Sequence, residues 1–516
     1  MGILSLLILI PLAGAALLHF IKNENVAKYF TLAVSLLTFV ISLVAYFQFD
    51  NKALGFQLQE HYDWISSKSV SISYFLGVDG MSILLVLLTT FLVVIGLIGT
   101  WNSITKNVPG LMALLLLLEA GMIGVFCSLD LFLFYIFWEL ILIPMYFIIG
   151  IWGGERRIYA AVKFFIYTLA GSLVMLVAII WLGVEASKIS GVFTTDLIKL
   201  TTLSRSLPLD TQNYLFWAFA LSFAIKVPLF PLHTWLPDAH VEAPTIGSVI
   251  LAGVLLKMGT YGMIRFNLGL FPQASIENAS ILCVLAVIGI IYGALVAIAQ
   301  TDVKKLIAYS SVTHMGFIVL GIFSMTREGL QGAVIQMVNH GLSTGMLFMM
   351  FGMMYDRKHT RAISEYGGVA KITPVYATFF AIAMLSSVGL PGLNGFIGEY
   401  LTIMGAFLSP VLHSWWYSIF SATGVILAAV YLLWMYQRFM LGPITNESNR
   451  SIKDLSMREI VSVVPLVIFM IWIGIKPMTF LKTSESGAYT LSNSLLGVAP
   501  EKTNDFQIVQ PQVIIK

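Results

Sequence analysis

Fourteen times along this chain an apolar run of bilayer-crossing length ends in a short polar stretch and begins again, near Ile3, Ala27, Gly80, Leu111, Leu131, Ala160, Tyr214, Ile246, Ala279, Val303, Leu330, Pro374, Trp415 and Ile460. About 17 to 25 helical residues span the hydrocarbon core. In lipid every backbone N–H and C=O must be paired inside the protein, so runs of this kind fold as helices. Composition leaves no soluble alternative: 58% of the 516 residues are hydrophobic and 11% are charged, too little polar surface to cover a globule of that size. The expected fold is an all-α polytopic membrane protein of about 14 transmembrane helices with no soluble domain.

Orientation follows from the cations. No Lys or Arg precedes the first run, residues 3–20, and Lys22 follows it; this favours a retained helix with an outside N-terminus over a cleaved signal peptide. With alternating spans, 15 of the 29 Lys and Arg fall in loops after odd-numbered runs and 7 in loops after even-numbered ones, 4 lie in the C-terminal segment and 3 inside runs. By the positive-inside rule both termini are expected on the non-cytoplasmic side. The net charge of +3 is ordinary for a membrane protein and gives no reason to expect a nucleic-acid partner. Cys127 and Cys283 sit in separate apolar runs and read as inert core thiols. There is no GxGxxG, no P-loop and no Cys or His cluster with ligand spacing, so no bound nucleotide, flavin, iron-sulfur cluster or metal is expected.

The largest non-spanning pieces are residues 48–78, 187–212, 355–373 and the segment after Leu481, of which 501–516 is expected to trail freely. Two segments break the helical pattern at membrane depth: Lys226-Val-Pro-Leu-Phe-Pro-Leu-His in the seventh run and Gly389-Leu-Pro-Gly-Leu-Asn-Gly in the twelfth. Proline removes a ladder hydrogen bond and clashes one turn back, so breaks are expected at 228–231 and 391–395. Freed backbone at that depth is tolerated only against protein or a wet cavity. Broken helices five runs apart point to inverted structural repeats with the transport path at the breaks. The expected organisation is one membrane domain over 1–516: runs 1 to 3 within 1–105, repeat one (runs 4 to 8) within 106–268, repeat two (runs 9 to 13) within 278–441, run 14 at 459–482 and a tail at 483–516.

Ionisable residues inside the runs are few: Glu119, Asp130, Glu139, Lys163, Lys226, Lys257, His314, His340 and Glu399. A lysine at a membrane helix centre costs roughly 2.5 to 3.5 kcal/mol on insertion scales, so Lys226 and Lys257 read as functional. Glu139, mid-run with no adjacent cation, is the natural partner of Lys226; a carboxylate nearby stabilises the charged lysine and desolvation opposes it, so their separation would set proton occupancy. A fixed structural Glu-Lys staple and a snorkelling Lys257 are the bland alternatives. His314, among the hydroxyls of Tyr309, Ser310, Ser311 and Thr313, and His340, after Asn339, titrate near neutral pH and suit a relay, though each alone also fits a hydrogen-bonded core histidine. Glu399, one turn past the second break, is positioned as an exit group. Asp130 reads as a helix cap, and Lys163 as pairing with Glu139, Glu119 or a loop carboxylate.

The segments Phe137-Trp-Glu-Leu with Pro144, Ile225-Lys-Val-Pro-Leu-Phe-Pro-Leu-His-Thr-Trp-Leu-Pro-Asp-Ala-His, Glu242-Ala-Pro-Thr, Leu255-Leu-Lys-Met-Gly-Thr-Tyr-Gly, Asp302-Val-Lys-Lys-Leu-Ile-Ala-Tyr-Ser-Ser-Val and Asn339-His-Gly resemble the antiporter-like membrane subunits of respiratory complex I over essentially the whole chain. The resemblance implies Glu139 as tuner of Lys226, Lys226 as central proton carrier, Lys257 and His314 as the bridge, His340 as a family histidine on the eleventh helix, and Glu399 as the terminal group. Two branches of complex I subunits and the Mrp-type sodium/proton antiporter subunits usually carry Lys where Glu399 stands, which points to the branch with Glu. It further implies a proton-translocating, non-redox subunit in a bacterial inner membrane, beside L-like and N-like antiporter subunits. FMN, iron-sulfur clusters and quinone are then expected in other subunits. An Mrp-type antiporter subunit and an antiporter-like subunit of a membrane-bound hydrogenase are the rival readings within the resemblance, and a passive spacer is the rival outside it.

Overall fold

The computed structural model describes residues 2–497 and a two-residue strand, Gln507–Ile508. The remainder of the expected free tail, 501–516, lies outside the described residues. Nine helices among the described residues are long and apolar enough to cross a membrane: Glu24–Gln48, Val108–Cys127, Leu131–Trp152, Arg157–Ser190, Thr245–Leu268, Pro272–Ile298, Val303–Phe323, Trp416–Met440 and Met457–Ile475. Shorter apolar helices occupy Ile3–Leu18, Ile83–Gly99 and Pro374–Val388. Polar residues dilute the hydropathy of the 32-residue helix Arg327–Lys358, yet Gln336, Asn339, His340, Ser343 and Thr344 are all buried.

Burial sorts these helices into a centre and a periphery. Thr245–Leu268 and Val303–Phe323 are enclosed around almost their whole circumference, whereas Arg157–Ser190 leaves Ile166, Leu173, Val177 and Ile180 exposed. An all-round apolar helix belongs inside a bundle or in lipid; exposed aliphatic residues on the outer helices form the surface that meets acyl chains. Lys257, His314 and His340 lie in the most enclosed helices, where an unpaired group costs most.

The expectation of an all-α fold is corrected at one end. Residues 48–78 contain an antiparallel hairpin, Gln57–Ser66 with Val70–Val78, in which His61 lies opposite Phe75 and Tyr62 opposite Tyr74. Phe193–Thr194 adds in parallel beside Val70 and Ser71. Both stretches are rich in aromatic and β-branched residues, which suit a pleated, half-buried surface. The hairpin secures helix ends: Glu60 accepts from the backbone of Gly2 (3.1 Å), Leu4 (2.7 Å) and Ser5 (3.1 Å), supplying the cap that Gly2 lacks as a side chain. The 187–212 stretch likewise holds a helix, Leu197–Ser206, capped by Asp196.

The last run is shorter than the expected 459–482. Met457–Ile475 stops before Pro477, and a second helix, Met478–Leu496, follows where a tail was expected from 483. Pro477 takes the N-cap position of that second helix, where its fixed φ suits a helix start. Arg327 pairs with Glu485 of this second helix, which anchors it to the body.

Candidate functional site

Lys226 is the final residue of Leu209–Lys226, and the chain turns through residues 227–234 before resuming as Trp235–Glu242. Pro228 has no N–H for the carbonyl of Ala224, so the N–H of Leu229 takes it instead at 2.7 Å. The carbonyl of Ile225, stranded by that shift, accepts from the Trp235 indole at 2.8 Å. The break is thus satisfied by protein and leaves Lys226 at a helix C-terminus, the end of the dipole that favours a cation. Its side chain is 2% exposed, and the ammonium lies 5.1 Å from the ring centre of Trp138 and 5.7 Å from that of Phe164, within cation–π reach.

Glu139, next to Trp138, is half-buried, and its Oε1 finds no hydrogen-bond partner among the described residues. It sits just before an interruption at Ile141 that divides Leu131–Leu140 from Leu142–Trp152; Pro144 lacks the N–H that the Leu140 carbonyl would take. Glu139 is the carboxylate whose charge acts on Lys226. However, no carboxylate among the described residues comes within 4.0 Å of the lysine. The anticipated close pair stands open.

Lys257 owes its setting to an irregular helix. Thr245–Leu268 contains two π turns, Leu251–Leu255 and Met263–Leu268. Such turns tilt carbonyls out of the regular ladder and recur at functional sites. Here the Lys257 ammonium, fully buried, donates to the carbonyl of Ala252 inside the first π turn and meets Nδ1 of His340 at 2.7 Å. Glycine permits this approach, because a Cβ on Gly341 would stand 2.9 Å from the carbonyl oxygen of Gly253.

From His340 the polar line continues. The His340 and His314 ring centres are 5.4 Å apart, and His314 Nδ1 lies 3.0 Å from Glu399 Oε1, which also accepts from Gln336 Nε2 at 3.3 Å. Nε2 of both histidines and Oε2 of Glu399 are buried without partners among the described residues. The second break, 389–393, separates Pro374–Val388 from Asn394–Phe407. Gly389 there has φ +83°, and a Cβ would stand 2.7 Å from Glu399 Oε2, so only glycine satisfies both backbone and carboxylate. Asn339 straps the break by donating to the Asn394 carbonyl at 2.7 Å.

The order of the bridge differs from the expected one. His314 does not touch Lys257; His340 does, and His314 stands beyond it against Glu399. The remaining candidates are structural by their contacts. Asp130 caps its helix through Phe132 N (2.9 Å) and Leu133 N (3.2 Å) and holds Thr195 Oγ1 at 2.8 Å. Lys163 pairs with Asp238 at 2.7 Å, a carboxylate of the helix after the first break and not one of those expected. Glu119 is buried and accepts from Ser35 Oγ at 2.8 Å, away from the line.

Three residues went unnoticed in the sequence. His240 is buried, stacked on Phe348 with ring centres 4.5 Å apart, with neither ring nitrogen bonded among the described residues, and the charges of Lys304 and Lys257 act on it. Its signal was the spacing of seven that runs Lys226, His233, His240; His233 is also buried, beside Phe230 and Tyr292. Lys304 is a buried helix residue whose ammonium donates to the Ala243 carbonyl at 2.6 Å.

An enclosed line of Lys, His and Glu between two broken helices defines a class, and comparison with known proteins agrees. The model of the NADH:quinone oxidoreductase/Mrp antiporter membrane family matches residues 128–428. The chain is 45% identical over 484 residues to NADH-quinone oxidoreductase subunit M of Rickettsia prowazekii, covering 93% of this chain and 96% of the relative. It is 41% identical over 492 residues to NADH-ubiquinone oxidoreductase chain 4 of Marchantia polymorpha, covering 95% and 96%. A chain of respiratory complex I from Thermus thermophilus with bound NADH superimposes with a TM-score of 0.86 at 32% identity, over 96% of this chain and 100% of that one. A chain of the Mrp complex from Dietzia sp. DQ12-45-1b shares the fold, with a TM-score of 0.82 at 18% identity over 96% and 98%. The chain belongs to this antiporter-like family and, within it, to the subunit M group.

Proposed function

We propose that this chain translocates protons as the subunit M of an NADH:quinone oxidoreductase, through Glu139, Lys226, Lys257, His340, His314 and Glu399. The observation that carries the reading is the contact series Lys257–His340 and His314–Glu399, buried and crossing from one broken-helix unit to the other. Lys226 holds a proton when the Glu139 carboxylate closes on it and releases it when the pair is open. His233 and His240 lie in the segment between Lys226 and Lys257 and supply intermediate acceptors. Moving one charge against 100 mV takes about 2.3 kcal/mol, equivalent to moving a pKa by about 1.7, a range within reach of a carboxylate approaching a buried lysine.

The finer architecture belongs to the same reading: fourteen spans, inverted repeats over runs 4 to 8 and 9 to 13, and both termini on the periplasmic face of a bacterial inner membrane. Its support is the paired breaks at 227–234 and 389–393 and the cation asymmetry of the loops. We assign electron transfer, with FMN, iron-sulfur clusters and quinone, to other subunits of the complex, and L-like and N-like antiporter subunits as neighbours. The chain acts as a non-redox translocase component without catalysis of its own. The rival reading, a free-standing sodium/proton antiporter subunit, has the shared fold with the Mrp chain behind it.

The test is Glu139→Ala and Lys226→Ala in the complex reconstituted in vesicles. Each is expected to abolish most NADH-driven proton uptake while the complex still assembles. Full pumping by an assembled variant would refute the relay, and sodium-driven proton flux by the isolated chain would favour the antiporter.

A further inference from the structure

Arg438 stands in the last turn of Trp416–Met440, on the cation-rich side of the molecule. Its guanidinium carbon lies 3.7 Å from the centre of the Trp434 ring, and Nε donates to the Trp434 carbonyl at 3.4 Å. Nη2 is buried and has no partner among the described residues, and no carboxylate among them lies within 4.0 Å. A guanidinium over a ring face still has N–H groups free for an acceptor, and its fork matches a phosphate. A helix-dipole role for a cation near a C-terminus accounts for the position but not for the unbonded nitrogen.

The Arg438 side chain borders a cavity of about 300 Å³, lined also by Thr301, Ile363, Ser364, Tyr366 and Thr445. Thr301, Ser364, Tyr366 and Thr445 bring hydroxyl groups to its lining, with Thr445 Oγ1 donating to the Tyr366 carbonyl at 2.8 Å. The neighbouring carboxylate, Glu365, is engaged by Asn446 Nδ2 at 2.9 Å. Below the cavity the same helix presents an apolar flank, Ile426, Val430, Leu433 and Trp434, all exposed. One end takes an anion and the other takes hydrocarbon, and a phospholipid has both in that order.

We propose that Arg438 and this cavity bind the phosphate of a membrane phospholipid whose acyl chains lie along Ile426, Val430, Leu433 and Trp434. The test is native mass spectrometry of the intact detergent-solubilised complex after partial delipidation and re-addition of phosphatidylglycerol, with NADH:quinone activity reporting assembly. Arg438→Gln is expected to retain one phospholipid fewer than the wild type, and Arg438→Lys to retain it. Ser364→Phe, which fills the cavity and keeps the arginine, is expected to show the same loss and serves if Arg438→Gln does not assemble. Equal phospholipid retention by the wild type, Arg438→Gln and Ser364→Phe overturns the proposal. So does a wild-type complex that loses the lipid on washing with inorganic phosphate as completely as by substitution, because the site then takes a free anion.

Discussion

Replacing His340 tests the line at its narrowest point. The imidazole is the only side chain bonded to the Lys257 ammonium among the described residues; the other partner is the Ala252 carbonyl, which takes no proton onward. His340→Leu removes a hydrogen bond to a charged group, worth about 1.5 to 3 kcal/mol, which weakens the hold on the ammonium by roughly ten- to a hundredfold in equilibrium constant. It also removes the acceptor, since transfer requires heavy atoms about 2.6 to 3.2 Å apart and His314 lies a further ring away, 5.4 Å between centres. NADH-driven acidification of vesicles, normalised to NADH oxidised, is expected to fall at least about tenfold by that arithmetic. His340→Gln separates structure from transfer: its amide restores an acceptor for the ammonium but does not titrate. The relay predicts that Gln rescues thermal stability without rescuing proton uptake. Wild-type pumping by the assembled Gln variant would refute the reasoning.

Two further outcomes concern the scaffold. Gly341→Ala places a Cβ 2.7 Å from Leu88 Cδ2 and 2.9 Å from the Gly253 carbonyl, overpacking that costs about 1 to 3 kcal/mol; a lower melting temperature and reduced pumping are expected. Gly345→Ala, whose nearest neighbour would be 3.7 Å away, is the control and is expected to leave both unchanged. Asp130→Ala removes a helix cap, worth about 1 kcal/mol, and strands the Ser73 N–H and Thr195 hydroxyl, adding about 1 to 3 kcal/mol. Earlier proteolytic nicking of the hairpin at 57–78 and a lower melting temperature are expected, and Asp130→Asn is expected to restore the helix cap but not the bond from Ser73 N–H, which its amide NH2 cannot accept.

The helices were legible because lipid permits so little else: a run of apolar residues long enough to span has one fold available. The breaks were legible for the same reason, since Pro228, Pro231 and Pro391 each remove a donor at a depth without water. The hairpin was not, because residues 48–78 lie outside the lipid constraint and their aromatic and β-branched pattern competes with ordinary loop chemistry. Individual site residues were found by the cost of burying them, which explains why Lys226, Lys257 and Glu399 stood out while His240, only moderately polar, did not. Contacts between helices were beyond reach. His340 and His314 lie on separate helices, and nothing in either segment states which one faces Lys257; that order depends on the rotation of Thr245–Leu268, and the π turns that set it carry no sequence mark beyond Gly253, Gly259 and Gly262.

Those π turns carry a consequence for the chain's tolerance of length change. A regular helix advances roughly 100° per residue, and a π turn absorbs one residue more than a regular turn without ending the helix. Deleting a single residue from Leu251–Leu255 would let the helix heal into ordinary α geometry with both flanks near their present phase, and the Ala252 carbonyl that now accepts from the Lys257 ammonium would return to the regular ladder. Lys257 would keep its identity, its burial and its helix, yet its ammonium would lose the carbonyl that, together with His340, now holds it. Along this stretch the number of residues matters as much as their kind, because a deletion silent to hydropathy would remove the contact that holds the Lys257 ammonium.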